Sequence, residues 1–185
     1  MLRYLCMPHG QSDLYDMVEA QPDRFPNEVE PIIALCHRRF GKSHAGVLMG
    51  VERCIRQRGA QVWFTTDTTE HAREIADAMI NSILDAMPSF YSFRTRRNTF
   101  YFRHREWPAH IESQFIMRGL NHNYGGSMRG RSADLFIVDE ARDIVALEYV
   151  VKRVVVPMFK GRERPTLIML TTPPDSMDHD LSRVY

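Results

Sequence analysis

The stretch Pro31-Ile32-Ile33-Ala34-Leu35-Cys36-His37-Arg38-Arg39-Phe40-Gly41-Lys42-Ser43 constrains the fold more than any other. A short apolar run of buried-strand character leads into a turn, and from about Lys42 to Gln57 the residues suit a helix. Strand, loop and helix in that order, with Gly-Lys-Ser where the helix begins, is the context of a phosphate-binding loop. Such a loop aims backbone N–H groups at phosphate oxygens just where the helix dipole favours negative charge. The lysine then reaches the outer phosphates, and the serine hydroxyl ligates Mg²⁺. In the pattern G-x-x-x-x-G-K-S/T the first glycine falls at Cys36, so only Gly41-Lys42-Ser43 is standard. Taken alone, the triplet also fits a plainer reading, a helix N-terminus that merely contains a lysine.

A second segment, Leu135-Phe136-Ile137-Val138-Asp139-Glu140, separates the two readings. It is an apolar strand ending in two acids, at the carboxyl edge where open α/β sheets bind ligands. A metal–nucleotide site needs one carboxylate to hold Mg²⁺ and an adjacent group to orient the attacking water. Alternation along the strand sends Asp139 and Glu140 in different directions, which suits two different roles. The bland alternative is an acidic loop after a strand. A phosphate loop upstream makes a site for ATP, Mg²⁺ and water the better account.

At 185 residues the chain can bury a substantial core as one domain. With 44% hydrophobic and 25% charged residues it has the balance of a soluble globular protein. The net charge of +1 rules out a global field that would mark a nucleic-acid binder. Its cations are 21 Arg against 3 Lys, a choice that suits phosphate recognition. Cys6, Cys36 and Cys54 have no metal or redox spacing, which points to a reducing compartment. No signal-peptide pattern opens the chain, and no apolar run approaches membrane-spanning length.

Residues 1–30 carry a short helix from Ser12 to Ala20 and then a proline-broken stretch. Gly59 suits the end of the helix after the phosphate loop, and Gln61 to Thr65 reads as a strand. Thr68 or Thr69 caps a helix with apolar residues at helical spacing, which stops at Pro88. Residues 90–118 are β-rich, with a hairpin turning at Arg97-Asn98 and another strand from Ile111 to Met117. The basic aromatic stretch Ser92 to Arg105 fits a hairpin with one charged, solvated face; contact with DNA phosphate or a protein partner is the sharper reading. A flexible loop, Gly119 to Arg131, precedes the acid-bearing strand. A helix near Leu147 to Val155 and a strand from Thr166 to Leu170 follow. Alternating strands and helices predict an α/β fold, a mostly parallel central sheet flanked by helices on both faces.

From about Gln11 to Thr172 the chain resembles the N-terminal ATPase domain of tailed-phage terminase large subunits, the motors that pump DNA into procapsids. That family commonly replaces the first phosphate-loop glycine and carries an arginine four residues before the lysine, the place of Arg38. Trp63-Phe64-Thr65-Thr66-Asp67 with Thr69-Glu70-His71-Ala72 looks like its second strand and following helix. Ile116-Met117-Arg118-Gly119-Leu120 and Met128-Arg129-Gly130-Arg131 resemble its strand and Arg-Gly loop, and Leu170-Thr171-Thr172-Pro173 its coupling motif. The resemblance implies a P-loop NTPase fold of the ASCE type. It divides a single ATPase domain, 1–185, into an adenine-side segment (1–30), an ATPase core (31–175) and the start of a truncated linker or lid (176–185).

By the same resemblance, Lys42 and Ser43 hold phosphate and Mg²⁺ together with the neighbouring loop residues Arg39, Phe40, Gly41 and His44. Asp139 completes the metal site, and Glu140 activates water. Arg38 contacts the phosphates in cis. Arg129, or Arg131 as the fallback, is offered to a neighbouring subunit's ATP. Thr171 and Thr172 sense the γ-phosphate, and Gln11 resembles the adenine-reading glutamine. The implied cofactors and ligands are ATP and Mg²⁺. The implied partners are double-stranded DNA, neighbouring copies in a ring on the portal, the portal protein and the small terminase subunit, in the host cytoplasm and away from membranes. The family's RNase H-like nuclease has no counterpart before Tyr185, so it is expected in a missing region or a separate polypeptide, or to be absent; Asp175, Asp178, His179 and Asp180 read as a solvated polar tail.

Two other functions fit the same residues. Asp139-Glu140-Ala141-Arg142 resembles the acidic motif of a superfamily-two helicase, although such enzymes close ATP between two motor domains. A nucleotide-binding assembly module without useful hydrolysis is the non-enzymatic alternative.

Overall fold

The computed structural model describes residues 31–37, 39 and 41–173. The expected helix Ser12–Ala20, Gln11, Arg38, Phe40 and the acidic tail lie outside the described residues. Seven strands form one sheet: β1 (Ile32–Leu35), β2 (Gln61–Thr66), β3 (Tyr91–Arg96), β4 (Thr99–His104), β5 (Ser113–Gly119), β6 (Leu135–Asp139) and β7 (Thr166–Thr171). Their order is β1-β7-β6-β2-β5-β4-β3. The first five in that order pair in parallel, and β4 and β3 close the sheet as an antiparallel hairpin. The strand leading to Thr171-Thr172 is thus inserted between the phosphate-loop strand and the acid-bearing strand.

Alternation along the buried strands makes two cores. Val62, Phe64, Leu135, Ile137, Ile168 and Leu170 face α1 (Lys42–Arg56) and α2 (Thr69–Asp85). Trp63, Phe136, Val138, Leu167 and Met169 face the opposite way, onto a helical run over residues 147–158. That run is α3 (Leu147–Val150), a π-turn (Val151–Val155) and α4 (Val156–Met158). Helices therefore cover both faces, as the sequence predicts.

The termini of the elements have local causes. The Thr68 hydroxyl accepts from His71 N at 3.2 Å and caps α2. After α1 the chain turns through Gly59, whose φ of 73° is left-handed. The stretch expected to be a flexible loop is instead a packed pair of 3₁₀ turns, His122–Met128, because Leu120 and Met128 are buried against the second core. The β3–β4 hairpin turns at Arg97-Asn98 as expected. Phe100 and Phe102 enter the first core, and Arg94 lies over the Tyr101 ring while pairing with Glu112 at 2.6 Å.

Two glycines fix how closely α1 lies on the sheet. A Cβ on Gly46 would stand 2.7 Å from Leu170 Cδ1, and one on Gly50 would stand 2.4 Å from the Phe115 ring. Both neighbours are fully buried and cannot swing aside. Gly50→Val is predicted to lower unfolding stability by roughly 1–3 kcal/mol, read by urea denaturation of the buried Trp63 fluorescence. Unchanged stability would mean that the helix is free to lift.

Candidate phosphate and metal site

Gly41 takes a left-handed conformation, φ 83°, which lets the loop swing directly into α1. The N-cap position is this glycine, which makes no side-chain cap bond. Lys42 is the first helical residue. Its side chain is only 7% exposed, and its Nζ donates to Glu140 Oε1 at 2.6 Å. The pairing joins the N-terminus of α1 to the end of β6, as the two sequence motifs require.

Asp139 closes β6 and is fully buried. Its Oδ1 accepts from Glu140 N at 3.0 Å, whereas Oδ2 is buried without a hydrogen-bond partner. Burial pushes the Asp139 carboxyl above its ordinary value; the Ser43 hydroxyl and the Lys42 charge oppose that rise, and the Glu140 charge adds to it. A buried carboxylate with one unpartnered oxygen, close to a serine hydroxyl and a lysine, offers hard oxygen donors of the kind that Mg²⁺ takes. Among the described residues no cluster of three or more His, Cys, Asp or Glu side chains could hold a metal.

Glu140 does not continue the strand. Its φ of 49° and ψ of 47° are left-handed, a conformation that costs a glutamate about 1–3 kcal/mol. Its orientation is therefore set by this turn and not by strand alternation. Three bonds hold the turn: Glu140 N to Asp139, Asp143 N to the Glu140 carbonyl at 2.8 Å, and the Lys42 pair.

Beside Glu140 lies a cleft of about 300 Å³ lined by Arg39, Lys42, His71, Glu140, Arg142, Asp143 and Thr172. The two threonines part company here. Thr171 Oγ1 accepts from Arg142 N at 3.2 Å and donates to the Thr172 carbonyl at 3.1 Å. Thr172 lines the cleft, and its buried hydroxyl has no partner. His44, on the first turn of α1, is exposed and does not line the cleft. Arg129 and Arg131 also lie outside it, and the Arg129 guanidinium is bonded to the Tyr149 hydroxyl.

Three lining residues have no role in the motif reading: His71 and Arg142, which stand inside its motifs, and Asp143. Arg142 donates to the Pro173 carbonyl at 3.3 Å and pairs with Asp143 at 3.5 Å, tying the acid loop to the end of β7. His71 pairs with Asp67 at 2.8 Å, an i, i+4 acid–histidine spacing that was visible in the sequence once Thr68 was recognised as the cap.

The raised Asp139 value carries a stability sign. The folded chain holds this proton more tightly than the unfolded chain. Stability from this group is therefore complete below the ordinary value of 3.8 and falls as pH rises through the elevated folded value. Asp139→Asn cannot ionise and is predicted to melt higher than wild type in Mg²⁺-free buffer at neutral pH. Thermal melts should show that gap shrinking as pH approaches 4. An Asn variant that melts lower at neutral pH would show that the ionised carboxylate is satisfied without a cation.

No protein-family model and no curated protein matches the chain by sequence. Solved structures do match by fold. The large terminase ATPase domain of Thermus phage P74-26 aligns with a TM-score of 0.65 and 19% identity, covering 89% of this chain and 70% of that one. The large terminase of another thermophilic bacteriophage, solved with ADP, aligns at 0.69 with 13% identity over 97% of this chain and 42% of that one. The bacteriophage HK97 large terminase aligns at 0.67 with 16% identity over 96% and 36%. This chain thus spans less than half of those last two proteins. Its fold, with β7 between β1, which leads to the Lys42 loop, and β6, which ends next to Glu140, is that of the ATPase domain of phage large terminases.

Proposed function

We propose that this chain is the ATP-hydrolysing motor domain of a viral DNA-packaging terminase, coupling conversion of ATP to ADP and phosphate to translocation of double-stranded DNA into a procapsid. One observation carries the reading: Lys42 and Glu140 pair across one cleft, with Asp139 buried next to Glu140 and Ser43 next to Lys42, in a fold whose counterpart from a thermophilic bacteriophage was solved with ADP and with ATP-γ-S. The α1 N-terminus and Lys42 would receive the outer phosphates, with Arg39 alongside. Ser43 and the unpartnered oxygen of Asp139 would hold Mg²⁺. Bound there, the cation would neutralise charge on the phosphate oxygens.

Glu140 would orient and activate the attacking water. The 2.6 Å pair with Lys42 gives that role a timing. Phosphate competes for the lysine, so the arriving nucleotide would free the carboxylate it needs. Thr172, with its unpartnered hydroxyl in the cleft, would sense the γ-phosphate and pass its loss to β7. Arg129 stands outside its own cleft, as an arginine offered to a neighbouring copy would, and Arg131 is the nearby substitute. Double-stranded DNA, a ring of copies on the portal, and the small terminase subunit are the partners in this reading.

Glu140→Gln is predicted to lower Mg²⁺-dependent phosphate release by at least about 10²-fold while nucleotide affinity stays near wild type, read by coupled phosphate assay and fluorescent-nucleotide titration. A variant with undiminished turnover would remove Glu140 from the chemistry. A wild type that binds ATP but never turns it over would favour an assembly module.

A further inference from the structure

The cleft holds one feature that the roles above leave unused. His71 sits in the first turn of α2, placed by the Thr68 cap, and lines the same cleft as Glu140 and Lys42. Its Nδ1 lies 2.8 Å from Asp67 Oδ1, and among the described residues its Nε2 has no partner. α2 begins where β2 ends, and β2 is the neighbour of β6. His71 therefore flanks the end of β6 from the side opposite β7.

The state of the ring follows from its partner. Burial alone would raise Asp67, but the hydrogen bonds from His71 and from the Thr68 backbone outweigh it and hold the carboxyl below its ordinary value. An ionised carboxylate only accepts, so Nδ1 carries the hydrogen. Nε2 is the ring nitrogen directed away from Asp67, and as an acceptor it would offer its lone pair to the cleft. A lone pair repels phosphate oxygens and accepts from water.

We propose that His71 Nε2 is the second acceptor for the attacking water, taking one O–H while Glu140 takes the other, and that Asp67 is the positioning residue that fixes the tautomer. This inference rests on the hydrolytic reading of the cleft. Two acceptors that take both O–H bonds leave the oxygen lone pairs free, and one of them would attack the γ-phosphorus. The water oxygen bonds to that phosphorus as the bond to the bridging oxygen breaks, and the electron pair departs on ADP. The proton facing Glu140 passes to that carboxylate, and the hydrogen held by Nε2 stays on the phosphate product. Asp67 acts here as the carboxylate of a hydrolytic triad does, by orienting an imidazole without taking its proton.

The test compares His71→Phe, His71→Gln and Asp67→Asn by steady-state phosphate release and by ATP-γ-S titration, with melts confirming folding. His71→Phe keeps the ring shape without an acceptor and should lose about 10- to 100-fold in kcat, with KM and ATP-γ-S affinity within about twofold of wild type. His71→Gln restores an acceptor and should recover part of that loss. Asp67→Asn keeps a hydrogen bond to Nδ1 but reverses the tautomer, and should fall as far as His71→Phe. Wild-type kcat in His71→Phe or in Asp67→Asn overturns the proposal. So does a loss confined to KM and ATP-γ-S affinity, which would make His71 a phosphate contact. Glu140→Gln separates the levels: if it is inactive while His71→Phe is unimpaired, only this inference falls. If the wild type shows no turnover at any protein concentration, the hydrolytic reading falls with it.

Discussion

The close seating of α1 on the sheet is the constraint on which the cleft depends. Gly46 and Gly50 remove the two side chains that would hold the helix off Leu170 and Phe115. With α1 down, its N-terminus comes level with the carboxyl ends of β7 and β6, and Lys42 reaches Glu140 directly. A helix raised by the width of a methyl group would leave that lysine short of the acid and Ser43 short of Asp139. A packing decision in the middle of the helix thus sets electrostatic geometry at its end.

The polar groups gathered there are not all satisfied by the protein itself. Asp139 is buried with one oxygen unsatisfied, Thr172 is buried with its hydroxyl unsatisfied, and α1 begins without a cap. Each would cost stability in a purely structural setting. Lys42 and Glu140 neutralise each other in the meantime. Strain at Glu140 belongs to the same pattern, because a left-handed glutamate persists only where surrounding bonds over-determine it. These costs gather at the carboxyl edge of the sheet, while the two clusters that cover its faces are buried and apolar.

Much of this was legible in the sequence, for reasons that differ by element. β2, β6 and β7 are short apolar runs between turn residues, and α2 combines a threonine cap with helical spacing of Ala72, Ala76, Ile80 and Leu84. The lysine and the acid pair were legible because their chemistry needs those residue types at strand ends. Strand order was not, since local periodicity says nothing of whether β7 lies beside β1 or at an edge. The π-turn at Val151–Val155 hid inside a valine-rich run that suits an ordinary helix equally well. The turn at Glu140 hid because a glutamate gives no sign of positive φ. Asp67 and His71 were visible as residues, yet their common cleft with Glu140 exists only after β2 and β6 pair.

The most direct test of the central claim is calorimetric titration of ATP-γ-S into the wild-type chain and into Lys42→Ala, with and without Mg²⁺. The account predicts saturable one-to-one binding that needs Mg²⁺ and is lost in Lys42→Ala. Binding that survives removal of the lysine, or a wild type that takes up no nucleotide, would contradict it.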